Sequence, residues 1–375
     1  MILTNCAACA APLPPVSAKQ CSRCKTRYCG PACQAQHWKE GGHDKVCKKI
    51  KRGGGAEQYY AQNKYAAAVT VAVEKCAEDT KGQTCYICTE AVHWKTKEGL
   101  VRGCSSRGTA GFAHVSCLAE QGKILVVEAE ENNSDDSQWR RWHMCSLCEQ
   151  NYQGVVRCAL GWACWKTYLG RPEDNRARRS AITQLGNGLL DAGHYENALF
   201  VQEAELSMER RLGASQGAIL CVKANLATTY RAFERFSEAL PLKRDVYSGC
   251  LKFYGEEHSN TIREASNYAT TLLDLERFKE AKLLLLKIMP ASRRVLGDSN
   301  EVTLKIRWVY AKALYEDDDA TLENLREAVT MLEETGRTTR RVLGGAHTLT
   351  MANEHSLRES RAALRARETA PSDIS

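Results

Sequence analysis

At 375 residues the chain has room for two to four domains, and no apolar run reaches the length of about eighteen that would make a membrane-spanning helix. A formal charge of +7 suggests a basic protein. The excess sits at the front: residues 1–175 hold 23 basic against 17 acidic side chains (+6), the remainder 29 against 28 (+1). Sixteen of the eighteen cysteines also lie before residue 165, leaving only Cys221 and Cys250 behind it. A cysteine-rich front and a cysteine-poor back need separate explanations.

The first stretch has the densest set of metal ligands. Cys6-x2-Cys9, Cys21-x2-Cys24, Cys29-x3-Cys33 and His43-x3-Cys47 make seven thiols and one imidazole, enough for two tetrahedral zinc sites. Residues two or three apart can present both sulfurs to one ion from a single tight turn. Disulfide pairing is the competing reading. The opening Met1-Ile-Leu-Thr-Asn lacks the basic and apolar regions of a signal peptide, and in a reducing compartment, cytoplasmic or nuclear, this spacing means zinc.

Tyr28-Cys29-Gly-Pro-Ala-Cys33-Gln34-Ala-Gln-His37-Trp38, followed by His43-Asp-Lys-Val-Cys47, resembles the MYND zinc finger at all eight ligand positions. The resemblance implies interleaved sites: Cys6, Cys9, Cys29 and Cys33 on one ion, Cys21, Cys24, His43 and Cys47 on the other. A slightly long gap through Gly41-Gly42 makes His37 a rival ligand, although His43 and Cys47 better suit one helical turn. MYND fingers bind proteins, often proline-containing peptides, and Gln34 and Trp38 match the positions lining that surface. Trp38 equally suits a place in the small core over the zinc sites.

Lys48-Lys49-Ile-Lys51-Arg52 reads as a solvated helix end, with nuclear targeting or RNA contact as the alternative. Gly53-Gly54-Gly55 breaks the chain, and residues 56–80 carry Tyr59, Tyr60, Ala66, Val69, Val73 and Cys76 at helical spacing. Cys76 has no partner at ligand spacing and reads as a small core residue.

A second cluster follows in Cys85-x2-Cys88, Cys104, His114-x2-Cys117 and Cys145-x2-Cys148. Its order resembles the RING-CH (RING-variant) zinc domain, a cross-brace of two sites. The resemblance implies that Cys85, Cys88, His114 and Cys117 form one complete site and that Cys104, Cys145 and Cys148 share the other. The fourth ligand position of that second site is Ser106, a poor zinc ligand; His143, Cys158, Cys164 or water could take its place. Leu118 to Glu131 reads as a helix and 132–136 as a turn. Residues 154–169 read as an amphipathic helix covering the domain, with Cys158 and Cys164 as core. The family includes ubiquitin ligases, which hold a charged ubiquitin-conjugating enzyme by positioning. Ile87 matches an apolar contact for that enzyme, and Leu147 lies within the last pair; packing inside the domain would suit both as well. If thirteen cysteines ligate four ions, their thiolates remove about five charges. The front then sits near neutrality, which argues against nucleic acid as partner.

From residue 182 a repeat sets in. His194-Tyr-Glu-Asn-Ala198, Arg235-Phe-Ser-Glu-Ala239 and Arg277-Phe-Lys-Glu-Ala281 recur at 41 and 42 residues, and Gly213, Gly255 and Gly297 at 42, with Gly344 after 47. The last interval holds the insertion Glu316-Asp-Asp-Asp319. Leu185-Gly186, Leu226-Ala227, Tyr268-Ala269 and Tyr310-Ala311 mark the first helix of each unit. These phrases resemble tetratricopeptide repeats of the kinesin-light-chain kind, implying stacked helix pairs with a concave groove and, over 346–367, a capping helix. On the groove helices the resemblance places Asn187, Asn225 and Asn267, with Arg231, Arg263 and Lys305 on the same face. Such amides and cations suit an extended, acidic peptide, though each could be an ordinary solvated residue. Arg210-Arg211, Arg293-Arg294 and Arg340-Arg341 are expected to complement helix C-termini.

The expected architecture is mainly α: a MYND finger over 1–50, a helical linker over 51–80, a RING-CH-like cross-brace over 81–170, an α-α tetratricopeptide superhelix over 171–367 and a flexible tail over 368–375. The chain should hold three or four zinc ions and act as a protein-interaction adaptor, with a RING-CH-type ubiquitin ligase as the alternative. No Gly-rich nucleotide loop, nucleophile elbow or His-Glu-x-x-His helix is present.

Overall fold

The computed structural model describes residues 5–11, 13, 18–104, 111–132, 136–345 and 347–369. Ser106 and residues 370–375 of the expected tail lie outside them. Among the described residues are fourteen α-helices and a single two-stranded sheet, with a contact division at Gly213 that yields two compact units.

The first unit begins with tight turns rather than long elements. Strand β1 (Lys19–Gln20) pairs antiparallel with β2 (Arg27–Tyr28), and the hairpin between them contains Cys21 and Cys24. Helices α1 (Pro31–Lys39), α2 (His43–Arg52) and α3 (Ala56–Cys76) follow, then α4 (Val115–Glu131), a 3-10 turn (Asp136–Trp142) and α5 (Gly154–Tyr168). Helix α3 stops four residues short of the sequence expectation, and α4 starts three residues early, at Val115, capped by His114.

Helix α5 is not an amphipathic cover. Every residue from Cys158 to Trp165 is buried, because α3, α4 and α6 (Arg176–Asp191) pack around it. A helix apolar all round belongs at a centre. The approach to α6 is backbone to backbone. A Cβ on Gly161 would stand 2.9 Å from the Gln184 carbonyl oxygen, and one on Gly188 would stand 2.7 Å from that of Arg157. Only glycine fits both places. Helix α7 (Tyr195–Arg211) then packs on α6 to complete the unit.

The second unit is a row of antiparallel pairs: α8 (Gln216–Ala232) with α9 (Phe236–Tyr254), α10 (Ser259–Asp274) with α11 (Phe278–Leu296), and α12 (Glu301–Tyr315) with α13 (Leu322–Val342), closed by α14 (Thr348–Thr369). Small residues sit where each pair meets its neighbour: Ala227, Ala239, Ala269, Ala281, Ala311 and Ala328 are fully buried. Ala328 stands 47 residues after Ala281, the spacing that also separates Gly344 from Gly297. The first helices form one wall, α10 touching α12 and α12 touching α14. The arginine pairs do lie in last helical turns, yet they find carboxylates too: Arg211 with Glu173, Arg293 with Asp298, Arg294 with Glu257 and Arg340 with Glu354.

Candidate metal centres and interaction surfaces

Four turns in the first unit share one design. In each, the amide after the second cysteine donates to the carbonyl of the first: Ala10 to Cys6, Lys25 to Cys21, Thr89 to Cys85 and Glu149 to Cys145, at 2.8–3.0 Å. The first cysteine's own amide donates five residues onward, to Ala11, Thr26, Glu90 and Gln150. Ala10, Lys25, Thr89 and Glu149 all take positive φ, between 54° and 64°. The chain thus reverses within five residues and leaves both sulfurs on one side. Amides inside the turn reach the first sulfur, as Ile87 does to Cys85 and Leu147 to Cys145 at 3.4 Å.

These turns meet long-range partners in four groups whose ligand atoms lie within 4.8 Å of one another: Cys6, Cys9, Cys29 and Cys33; Cys21, Cys24, His43 and Cys47; Cys85, Cys88, His114 and Cys117; and Cys104, Cys145 and Cys148. The first two groups interleave along the chain, as do the last two. A tetrahedral zinc with bonds of about 2.3 Å to sulfur requires sulfur–sulfur edges of about 3.8 Å. Cys9 to Cys29 is 3.7 Å and Cys21 to Cys47 is 3.8 Å. His43 points Nε2 at Cys24 from 3.4 Å, whereas His114 points Nδ1 at Cys88 and Cys117 from 3.4 and 3.6 Å. The residues fit zinc in all three complete groups.

His37 joins no group; its Nδ1 lies 3.1 Å from the Tyr28 hydroxyl. Helix α2 decides between the two histidines by placing His43 one turn before Cys47, both fully buried. Trp38 does two things at once: its ring meets His43 edge-on at 5.6 Å and it remains 39% exposed, while Gln34 on the same helix is half-buried. Cys76, Cys158 and Cys164 lie in the apolar core and His143 in no group. Burial pushes the Cys158 thiol up to about 11 and the His143 imidazole down to about 4.

Within the groups, burial works against ionisation but the turn amides outweigh it at the first cysteine. The Cys6 thiol falls to about 6 under amides of Cys9, Cys29 and Ala8. Cys33 is pushed up to about 12 by its Cys29 neighbour. Four thiols so close cannot all ionise without a cation between them.

One turn has the fold of a knuckle without its ligands. His93 donates its amide to Glu98, Lys97 donates to His93 and takes φ of 59°, and Thr96 replaces the second cysteine. It holds Trp94 out, 68% exposed. No ligand spacing signals this turn. Ile87 and Leu147 are 38% and 50% exposed, and their knuckles are tied by the Tyr86 hydroxyl 3.1 Å from Ser146 Oγ.

In the second unit, the polar residues of the first helices are linked. Arg231 on α8 donates to Asp274 on α10 at 3.0 Å; Lys305 on α12 donates to Asn267 on α10 at 2.9 Å; Asn267 donates to Glu264, and Arg263 pairs with Glu264 at 3.5 Å. Asn225 is half-buried on α8. Asn187 is half-buried on α6, in the first unit. The sequence pattern missed Lys243, which is buried and donates to the Ala224 carbonyl and to Thr228. Charged residues ordinarily read as solvated, so no periodicity announces a buried lysine.

Residues 6–47 match the family model of the MYND finger. That segment is a MYND finger. No curated protein matches the chain. Among solved structures, a putative kinesin light chain from Podosopora anserina with nearly identical TPR-like repeats is similar at 20% identity and a TM-score of 0.43, over 51% of this chain and 88% of that one. BtubC (BKLC) from P. vanneervenii is similar at 10% identity and a TM-score of 0.38, over 68% and 91%. The apo form of RapI is similar at 11% and 0.41, over 68% and 84%. The MYND finger binds zinc, and with the two further groups the chain's ligands can hold three or four ions. No helix of the described residues is long and apolar enough to cross a membrane.

Proposed function

We propose that this chain is a zinc-dependent adaptor that joins partner proteins through its MYND finger and its helical repeats. The observation carrying this reading is that three metal groups supply four protein ligands each. An ion so enclosed holds knuckles in place and has no open position for catalysis. The knuckles in turn hold apolar side chains at the surface. Partner contacts fall to Gln34 and Trp38 on the finger, to Asn187 on α6 and, in the second unit, to Asn225, Arg231, Arg263, Asn267 and Lys305, a set that suits an extended acidic peptide. The division we favour is finger 1–50, linker 51–80, RING-CH-like module 81–170, repeats 171–367 and tail 368–375. Cysteines and histidines gathered in metal-ligand groups are in keeping with a reducing compartment, cytoplasmic or nuclear. Fluorescence anisotropy with acidic and charge-neutral extended peptides tests the groove. Binding of the acidic one should weaken with Lys305→Glu; equal binding of both would sink the assignment.

A second reading is a RING-CH-type ubiquitin ligase. It is favoured by the Tyr86–Ser146 link, which puts the knuckles bearing Ile87 and Leu147 side by side. Such a surface would dock a ubiquitin-conjugating enzyme. Autoubiquitination across a panel of those enzymes separates the readings. Chain formation lost with Ile87→Ala makes a ligase; product from Ser106→Cys alone marks a degenerate one; silence from both leaves the adaptor.

A further inference from the structure

The basic run that closes the finger has a geometry that its order in the chain hides. Helix α2 turns His43, Cys47 and Ile50 inward, all fully buried. At 3.6 residues per turn, Lys45, Lys48, Lys49 and Arg52 fall in one stripe on the opposite face, and all four are exposed. The Lys49 ammonium lies 5.9 Å from the centre of the Tyr59 ring, which carries this surface on to α3. Cations are favoured in the last turn of any helix, beside its bare carbonyls, and that accounts for Lys49, Lys51 and Arg52. It does not account for Lys45 in the first turn, where an acid such as Asp44 is favoured. The near-neutral front is itself a sum of two unlike parts. Residues 1–55 hold ten basic against two acidic side chains, and residues 56–175 hold thirteen against fifteen. Two zinc ions with seven ligand thiolates take three charges from the first part and leave it at +5. Exposed charges more than about 8 Å apart are largely screened from one another at physiological salt, so the stripe keeps its own field.

We propose that the stripe Lys45, Lys48, Lys49 and Arg52 on α2 binds the phosphate backbone of a nucleic acid, an activity beyond the adaptor reading. Spacing carries the choice of partner. From Lys45 to Arg52 the helix rises about 10.5 Å, so its four charges stand on average about 3.5 Å apart along the axis. Phosphates of one strand of duplex DNA recur at about 3.4 Å. An extended acidic peptide turns only every second side chain to one face, about 6.7 Å apart, and would meet half of these cations. The Tyr59 ring beside Lys49 adds an aromatic surface of the kind on which an unpaired base stacks.

Fluorescence anisotropy with the full zinc-loaded chain tests this, using labelled single-stranded and duplex oligonucleotides and, as the acidic-protein counterpart, labelled polyglutamate. Four phosphate contacts predict a slope of log affinity against log salt of about −3.6 on a duplex and about −2.8 on a single strand. Between about 50 and 200 mM salt the duplex affinity should therefore fall about a hundredfold. Binding of both forms supports backbone contact in general, and binding of one form alone assigns the stripe to that form. The double variant Lys48→Gln/Arg52→Gln should weaken binding and flatten the duplex slope to about −1.8, with its zinc content unchanged by elemental analysis. Lys51→Gln removes a cation from the same run but off the stripe, and should leave the slope nearly as it was. An equal loss from Lys51→Gln and Lys48→Gln would overturn the proposal, because the run would then act as linear charge rather than as a helix face. No saturable binding, or a slope untouched in the double variant, overturns it as well. Polyglutamate bound as tightly as the oligonucleotides would overturn it in favour of acidic proteins.

Discussion

The two units solve the same problem by different means. In the first, the front turns have almost no regular backbone ladder; thiols and imidazoles converge in groups that a cation must hold together. In the second, helices pack through fully buried alanines and leucines, and no group of metal ligands is found among their described residues. A fold held by ligands should fail all at once when its ions leave, whereas one held by stacking should fail by increments.

The largest effect expected is therefore metal removal. A structural zinc contributes roughly 10–16 kcal/mol of apparent binding energy at neutral pH. Stripping with a chelator should open the MYND finger to proteolysis while far-UV circular dichroism stays helical, because α8 to α14 contain no group of ligands among the described residues. Loss of the helical signal with the zinc would break the comparison.

Next comes the stacked core. Leu285 on α11 is fully buried, and Leu285→Ala should destabilise the second unit by about 2–5 kcal/mol. Its zinc content should not change, by elemental analysis.

Buried charge sharpens the contrast through pH. Glu205 on α7 accepts a hydrogen bond from Thr183, and burial raises its carboxyl to about 8 from an ordinary 4.5. Folded protein binds this proton where unfolded protein has lost it, so stability falls as pH rises from 4.5 to about 8. Lys243 runs the other way: burial lowers it to about 8 from 10.5, and stability rises with pH between those values. Thermal melts of Glu205→Gln and Lys243→Met should each lose the slope in its own window. An unchanged slope in either variant would show that its burial does not govern that window.

The smallest effect is a helix cap. Thr321 accepts from the Asn324 amide and Asn324 returns a bond to the Thr321 amide, starting α13. Thr321→Ala should cost about 1 kcal/mol, read as a modest drop in the denaturation midpoint.

Much of this was legible beforehand, and for identifiable reasons. Knuckle turns are local: Cys-x2-Cys brings its own two sulfurs together whatever follows. The repeat was legible because Ala198, Ala239 and Ala281 recur in fixed phase. Ala328 escaped because the acidic insertion shifted the phase to 47 residues. The sequence of helix α5 suggests a cover because its cysteines, tryptophans and glycine leave no clean stripe, and only its neighbours α3, α4 and α6 show it to be central. The His93 turn escaped for lack of a thiol.

The sequence by itself determined which residues can hold metal, the short-range turns that aim them and the period of the helices, because each depends on atoms a few residues apart. Spacing left to resemblance which turns meet in one ligand group, and tertiary structure decided it, as it decided that His43 faces Cys24 while His37 faces Tyr28, that Glu205 and Lys243 lie inside, and that the first helical pair joins α5 in the unit ending at Gly213. Those outcomes rest on contacts between segments far apart in the chain. Spacing and period do not encode such contacts; the burial of one surface against another does.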